Sequence, residues 1–322
     1  MSRIHEALKR AEQERTVPVS ATPLMPAAAE QADPLPEVVE APLTPPPMAA
    51  PMVDIPPRVA DPLPHSNMDM RAGTADFLRF DDVWNRCATP GWKLNLERNV
   101  FVDPEIPTSV REQFRTLRSR LYQLRDKQAL RTVLVTSSLP GEGKTFVANN
   151  LAQALARQQN CRVLLIDADL RRPDLHTGLG APASPGLSEY LKGEADEMAV
   201  IQRGLPEYLC FIAGGNRTEN TAELLANGRL KALLGTFGPV FDWVILDSPP
   251  TLPVSDALVL ADFCDGVLTV VRAAHTTFDS AQKSCQQLRE KNILGVALNC
   301  ADQGASYGSY YQYEETIASS TF

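Results

Sequence analysis

Along residues 131–299, short apolar runs alternate with stretches in which apolar positions recur every three or four residues. RTVLVTS, CRVLLIDAD, YLCFIAG, FDWVILD, GVLTVV and ILGVALN are apolar almost throughout and rich in β-branched residues. Such runs predict strands buried on both faces, because a strand with one wet side would alternate polar and apolar positions. Helices are expected near 144–158, 221–235, 255–263 and 277–290, between most of the strands. The alternation predicts an α/β fold, a mostly parallel sheet with helices on both faces, in which ligands sit at the carboxyl ends of the strands.

Before residue 131 the pattern changes three times. Residues 3–15 place Ile4, Ala7, Leu8 and Ala11 on one helical stripe with Ser2 as N-cap. A helix this short is marginal in water, so it either docks on a partner or does not persist; with only two large apolar residues, its stripe is thin for membrane-surface binding. Fourteen of the 26 prolines then fall between Pro18 and Pro64, in a stretch without an aromatic residue. It has too little apolar surface to offset the entropy of ordering it and reads as a disordered, partly extended tether. Residues 77–92 carry two tryptophans and two phenylalanines, enough to pack on the main domain, and 108–130 is helical and basic with only Glu112 and Asp126 opposing. The expected organisation is a docking helix (1–17), a linker (18–73), an accessory segment (74–105), the main α/β domain (106–300) and a flexible tail (301–322).

The formal net charge of −8 argues against nucleic acid as a partner, because phosphate backbones are bound by a basic excess. The six cysteines (Cys87, Cys161, Cys210, Cys264, Cys285, Cys300) form no CxxC pair and read as reduced, buried thiols of a cytosolic protein. No window approaches the length of a membrane span, and the N-terminus lacks the apolar run of a signal peptide, so a soluble, internal protein is expected.

The candidate chemistry lies at the strand ends. RTVLVTS runs into Ser138-Leu139-Pro140-Gly141-Glu142-Gly143-Lys144-Thr145 and then a helix. A glycine-rich turn between strand and helix directs backbone N–H groups at an anion; Lys144 can neutralise β- and γ-phosphate oxygens and Thr145 can ligate Mg²⁺. The strict pattern asks for glycine at 138, where this chain has serine. LLIDAD ends in Asp167 and Asp169, and FDWVILD in Asp247, so three carboxylates gather beside the loop. One or two carboxylates plus water and phosphate make a Mg²⁺ site. Each aspartate alone could be a cap or turn residue; all three in this order favour a site.

SSLPGEGKT, VLLIDADLRRP and WVILDSPP resemble the Walker A, A′ and B motifs of the bacterial tyrosine kinases of polysaccharide synthesis and export. The resemblance covers about 106–299. It extends to Glu112-x-x-Arg115-x-x-Arg118, similar to that family's ring-forming motif, and to a terminal tyrosine cluster: four of seven tyrosines (Tyr307, Tyr310, Tyr311, Tyr313) lie within seven residues. Spacing by threes also suits plain intrahelical ion pairs for the Glu112 set. Arg217, in AGGNRTENTAELL, stands where that family commonly has proline.

The resemblance implies a cytoplasmic ATP- and Mg²⁺-dependent tyrosine autokinase acting in trans on its own tail within a homo-oligomeric ring. Pro140, Gly141, Glu142, Gly143, Lys144, Thr145 and Phe146 are implied ATP-binding residues, and Asn299, by its position at the end of the last strand, is expected to read the adenine edge of the nucleotide. Thr145, Asp169 and Asp247 are implied metal ligands, and Lys144, Asp167 and Asp169 catalytic residues, Asp167 accepting the tyrosine proton. Arg171 and Arg172 either hold phosphate or acceptor or form surface ion pairs. A separate membrane polysaccharide co-polymerase as activator, which would recruit the chain to the membrane's inner face, and a cognate tyrosine phosphatase are the implied partners. The alternative is a MinD/ParA-like nucleotide-switched positioning ATPase, against which Leu139 counts, since those proteins carry a signature lysine there. A nucleotide-binding scaffold without catalysis is a third reading, disfavoured by the complete set of aspartates and Lys144.

Overall fold

The computed structural model describes residues 78–301. The expected N-terminal helix, the tether and the tyrosine cluster lie outside the described residues. Seven strands form one sheet: β1 (Thr132–Ser137), β2 (Val163–Asp167), β3 (Ile201–Arg203), β4 (Leu209–Ile212), β5 (Trp243–Asp247), β6 (Gly266–Arg272) and β7 (Ile293–Asn299). Their order is β3-β4-β2-β5-β1-β6-β7, parallel except for β3 against β4.

Side chains on a strand alternate between faces, and the central strands fill both. Leu134, Leu164, Ile166, Val244 and Leu246 enter one core cluster, and their neighbours Val133, Val135, Val163, Leu165 and Ile245 enter another. The first is covered by Leu225 of α7 (Thr221–Ala226), Leu230, Leu233 and Phe237 of α8 (Arg229–Phe237), and Leu260 of α9 (Asp256–Ala261). The second is covered by Val147, Leu151 and Leu155 of α3 (Lys144–Ala156) and Leu121 of α2 (Thr108–Arg125).

All six expected strands are present. β3 was not anticipated, nor were the short helices α4 (Leu175–Leu179), α5 (Leu187–Lys192) and α6 (Glu197–Val200). The helix expected over 221–235 is two, α7 and α8, because Gly228 between them takes a left-handed φ of +85° that an α-helix cannot continue. The last helix, α10, spans Phe278–Gln287.

Residues 78–105 wrap the β3 edge of the sheet. Phe80 of α1 (Phe80–Arg86) lies in the first cluster, whereas Trp92 and Leu94 pack against the second. Between them Ala88 pairs with β3, its N–H donating to Ile201 O and its O accepting from Arg203 N. Trp92 donates from Nε1 to Gln202 Oε1 at 3.1 Å.

Asn99 ties this segment to α3. It is fully buried; Oδ1 accepts from Asn149 Nδ2 (2.9 Å) and Gln153 Nε2, and Nδ2 donates to Gly178 O (2.7 Å). An apolar replacement removes these bonds from a dry interior; Asn149 Nδ2, Gln153 Nε2 and Gly178 O each keep one other partner (Arg98 O, Asn149 Oδ1 and Asn95 N), so each loss falls at the low end of about 1–3 kcal/mol. Asn99→Leu is therefore expected to lose roughly 3 kcal/mol of stability, read as a lower urea midpoint at unchanged slope.

Candidate active site

β1, β2 and β5 are adjacent, and their carboxyl ends bring the three motifs together. Asp167 and Asp247 are register partners on neighbouring strands, and α3 begins at Lys144 directly after the β1 loop. Gly143 precedes it with φ +91°, and a Cβ there would lie 2.0 Å from Asn299 Nδ2, so conformation and space both demand glycine.

Lys144 Nζ donates to Asp169 Oδ2 at 2.9 Å and lies 3.9 Å from Asp247 Oδ1. Thr145 Oγ1 donates to Asp247 Oδ2 at 2.6 Å. Asp247 Oδ1 is buried and accepts no hydrogen bond. Asp167 is held by backbone amides: Oδ1 accepts from Asp169 N at 3.2 Å, and Oδ2 from Asp174 N and Leu175 N, both at 3.0 Å.

The environment sets the charges. Burial opposes the charge on Lys144, but attraction to Asp247, Asp169 and Asp167 outweighs it and holds the amine above its ordinary pKa. Burial pushes Asp247 up to about 6 against the pull of Lys144 and the Thr145 hydroxyl. Burial and then repulsion from Asp247 put Asp167 well above the usual carboxylate range, despite the amide of Leu175. A carboxylate raised in this way is a stronger base than a free aspartate.

The remaining expected site residues fall in three places. Pro140 and Gly141 are exposed at the loop tip, whereas the Glu142 side chain is buried, accepting from Leu139 N (2.9 Å) and the Thr276 hydroxyl. It is a strut inside the loop, which leaves phosphate contact to backbone amides. Asn299 donates from Nδ2 to Glu142 O at 2.9 Å and lies behind the loop. Phe146 packs edge-on against Phe114 at 6.0 Å. With Leu175 and the Arg98–Asp174 ion pair (2.6 Å), it walls a cleft of about 270 Å³ that opens beside Gly143 and Thr145. Nothing in the local sequence of Arg98 marked it as part of this cleft.

Arg171 forms a forked pair with buried Asp256 at 2.8 and 3.1 Å, while the Arg172 side chain is exposed. On α2, Glu112 pairs with Arg115, three residues on. Arg118 donates to Ala154 O (2.8 Å), fastening α2 to the last turn of α3. The loop containing Arg217 is held by buried Glu189, which accepts from Gly186 N at 2.7 Å and Asn216 N at 3.0 Å. No helix among the described residues is long and apolar enough to cross a membrane.

The profile of the CobQ/CobB/MinD/ParA nucleotide binding domain matches residues 133–320. The tyrosine-protein kinase YwqD of Bacillus subtilis is 33% identical over 219 residues, 67% of this chain and 92% of its own. EpsB of Ralstonia nicotianae is 37% identical over 221 residues, 67% of this chain, and the match spans only 29% of EpsB. The kinase domain of Escherichia coli tyrosine kinase ETK superposes with a TM-score of 0.56 at 35% identity, covering 62% of this chain and 80% of that domain.

Proposed function

The chain belongs to the CobQ/CobB/MinD/ParA nucleotide-binding domain family and, within it, to the bacterial tyrosine-protein kinases, and from that premise we propose that it transfers the γ-phosphoryl group of ATP to the tyrosines of its own C-terminal cluster. The observation that carries the reading is the convergence of Lys144, Thr145, Asp167, Asp169 and Asp247 at the carboxyl ends of β1, β2 and β5, with a cleft beside Thr145.

Phosphoryl transfer demands positioning and charge neutralisation more than covalent chemistry. The amides of 141–145 cradle the phosphates, and Lys144 neutralises the group in transit. The donor set fits Mg²⁺: hard oxygens only, with Asp247 Oδ1 unpartnered. No three His, Cys, Asp or Glu side chains among the described residues cage an ion by themselves. Thr145, Asp247 and Asp169 would therefore hold an ion that nucleotide oxygens also bind, and its role is to offset charge on those oxygens. Asp167, its pKa raised by burial, is the proposed acceptor of the tyrosine hydroxyl proton.

Tyr307, Tyr310, Tyr311 and Tyr313 are the proposed acceptors, reached in trans within a ring that Glu112, Arg115 and Arg118 help to form. Phosphates on this acidic tail would weaken its hold on an acidic site. A membrane co-polymerase is the proposed activator and a tyrosine phosphatase the proposed antagonist, in polysaccharide synthesis and export. The N-terminal helix is the proposed hook.

Incubation with Mg-ATP and the activator's cytoplasmic segment, followed by mass spectrometry of the C-terminal peptide, tests the reading. Phosphate is expected on the cluster, and changing all four tyrosines to phenylalanine should remove at least nine-tenths of phosphotyrosine (on the order of the whole signal). A bare tail with continued ATP hydrolysis would instead favour the second reading that the family's breadth supports, a nucleotide-switched positioning ATPase.

A further inference from the structure

The P-loop is also held by residues more than 125 positions away along the chain. Arg272, the last residue of β6, donates from its guanidinium to Gly141 O at 3.3 Å. Asn299, the last of β7, donates to Glu142 O at 2.9 Å. Thr276, in the turn before α10, donates its hydroxyl to Glu142 Oε1 and accepts from Arg272 N at 3.0 Å. The other Glu142 oxygen closes the loop on Leu139 N. Glu142 and Thr276 are 0% and 6% exposed.

A trans peptide is planar, with its C=O and N–H on opposite sides. Drawing the Gly141 carbonyl toward Arg272 therefore turns the Glu142 N–H the other way. Drawing the Glu142 carbonyl toward Asn299 does the same to the Gly143 N–H. We infer that Arg272, Thr276 and Asn299 form a brace that aims the loop amides at a polyphosphate, with Thr276 the positioning residue that holds Glu142 as the strut. Thr276 acts through Glu142 and touches no proposed ligand contact. Removing its hydroxyl deprives a buried carboxylate of one of its two donors, the other being the Leu139 amide, and a carboxylate so deprived turns toward water, carrying the peptides of 139–143 with it.

The inference goes beyond the proposed transfer to tyrosine and rests only on the reading of 141–145 as the phosphate cradle. Its test is calorimetric titration of the full chain with Mg-ADP and, separately, with inorganic tripolyphosphate, comparing the unaltered protein with Thr276→Val and Thr276→Ser. Thr276→Val is expected to weaken both ligands about tenfold, and Thr276→Ser, which keeps the hydroxyl, to bind within about twofold of the unaltered chain. Should Thr276→Val fail to fold, Arg272→Met at its exposed position is expected to weaken both ligands about threefold. Unchanged affinity in the folded variant overturns the brace, as does an equal loss in Thr276→Ser, since the hydroxyl is then not the cause. Failure of the unaltered protein to bind either ligand sinks the cradle itself, and the brace with it.

Discussion

Lys144→Met lowers phosphoryl transfer by at least about a hundredfold, the scale on which a preorganised group that stabilises developing charge contributes, and it also destabilises the fold. The ammonium is only 12% exposed and lies between Asp169 and Asp247. Removing one partner of a buried pair leaves charge uncompensated, at a cost of about 3 kcal/mol. With the ammonium gone, Asp167 and Asp247 lose an attraction that lowers their pKa values, and both become easier to protonate. The stability deficit should therefore be largest near pH 8 and shrink as pH falls toward 5. Urea midpoints of both proteins at the two pH values measure it. A deficit of equal size at both would mean that packing of the lysine stem, and not its charge, is what the variant loses.

Asp247→Asn should abolish transfer as well, yet move stability the other way. The folded pKa of Asp247, pushed to about 6 by burial, lies above the ordinary 3.8. Between those values the folded state binds the proton more tightly than the unfolded chain, so stability falls as pH rises. The cost of the buried carboxylate is absent below about pH 4 and fully present above about pH 6. Asparagine keeps the shape, removes the charge and still accepts from the Thr145 hydroxyl. In chelator and without nucleotide, Asp247→Asn is expected to gain on the order of 1–3 kcal/mol at pH 7.5 and nothing at pH 4. Loss of stability at pH 7.5 would show that attraction to Lys144 outweighs desolvation. Two substitutions that both silence the site but shift the melting transition in opposite directions separate a stabilising cation from a carboxylate kept at the expense of stability.

The features legible in the sequence are those written in consecutive residues. β1, β2 and β5 announce themselves because strands buried on both faces must be apolar at every position, and the loop and aspartates follow directly from their ends. β3 and α6, three and four residues long, are too short for any periodicity to register. Gly228 was visible as a helix breaker after Asn227, but the apolar spacing on either side masked the break. The expected reach of Asn299 to the adenine edge came from its position at a strand end, whereas the bond from its amide to Glu142 O is visible only in the folded sheet. The roles of Glu142, Thr276, Arg272 and Arg98 were hidden for one reason. Each partner lies on another element, and only the closed sheet makes them neighbours.

The pairing of Ala88 with β3 has a consequence for how molecules of this kind meet. Ala88 occupies the carbonyl of Ile201 and the N–H of Arg203, outward-facing backbone groups that would otherwise be free to template another strand. Edge-to-edge pairing between copies is thereby hindered on that flank, which leaves β7 as the more open edge of the sheet among the described residues.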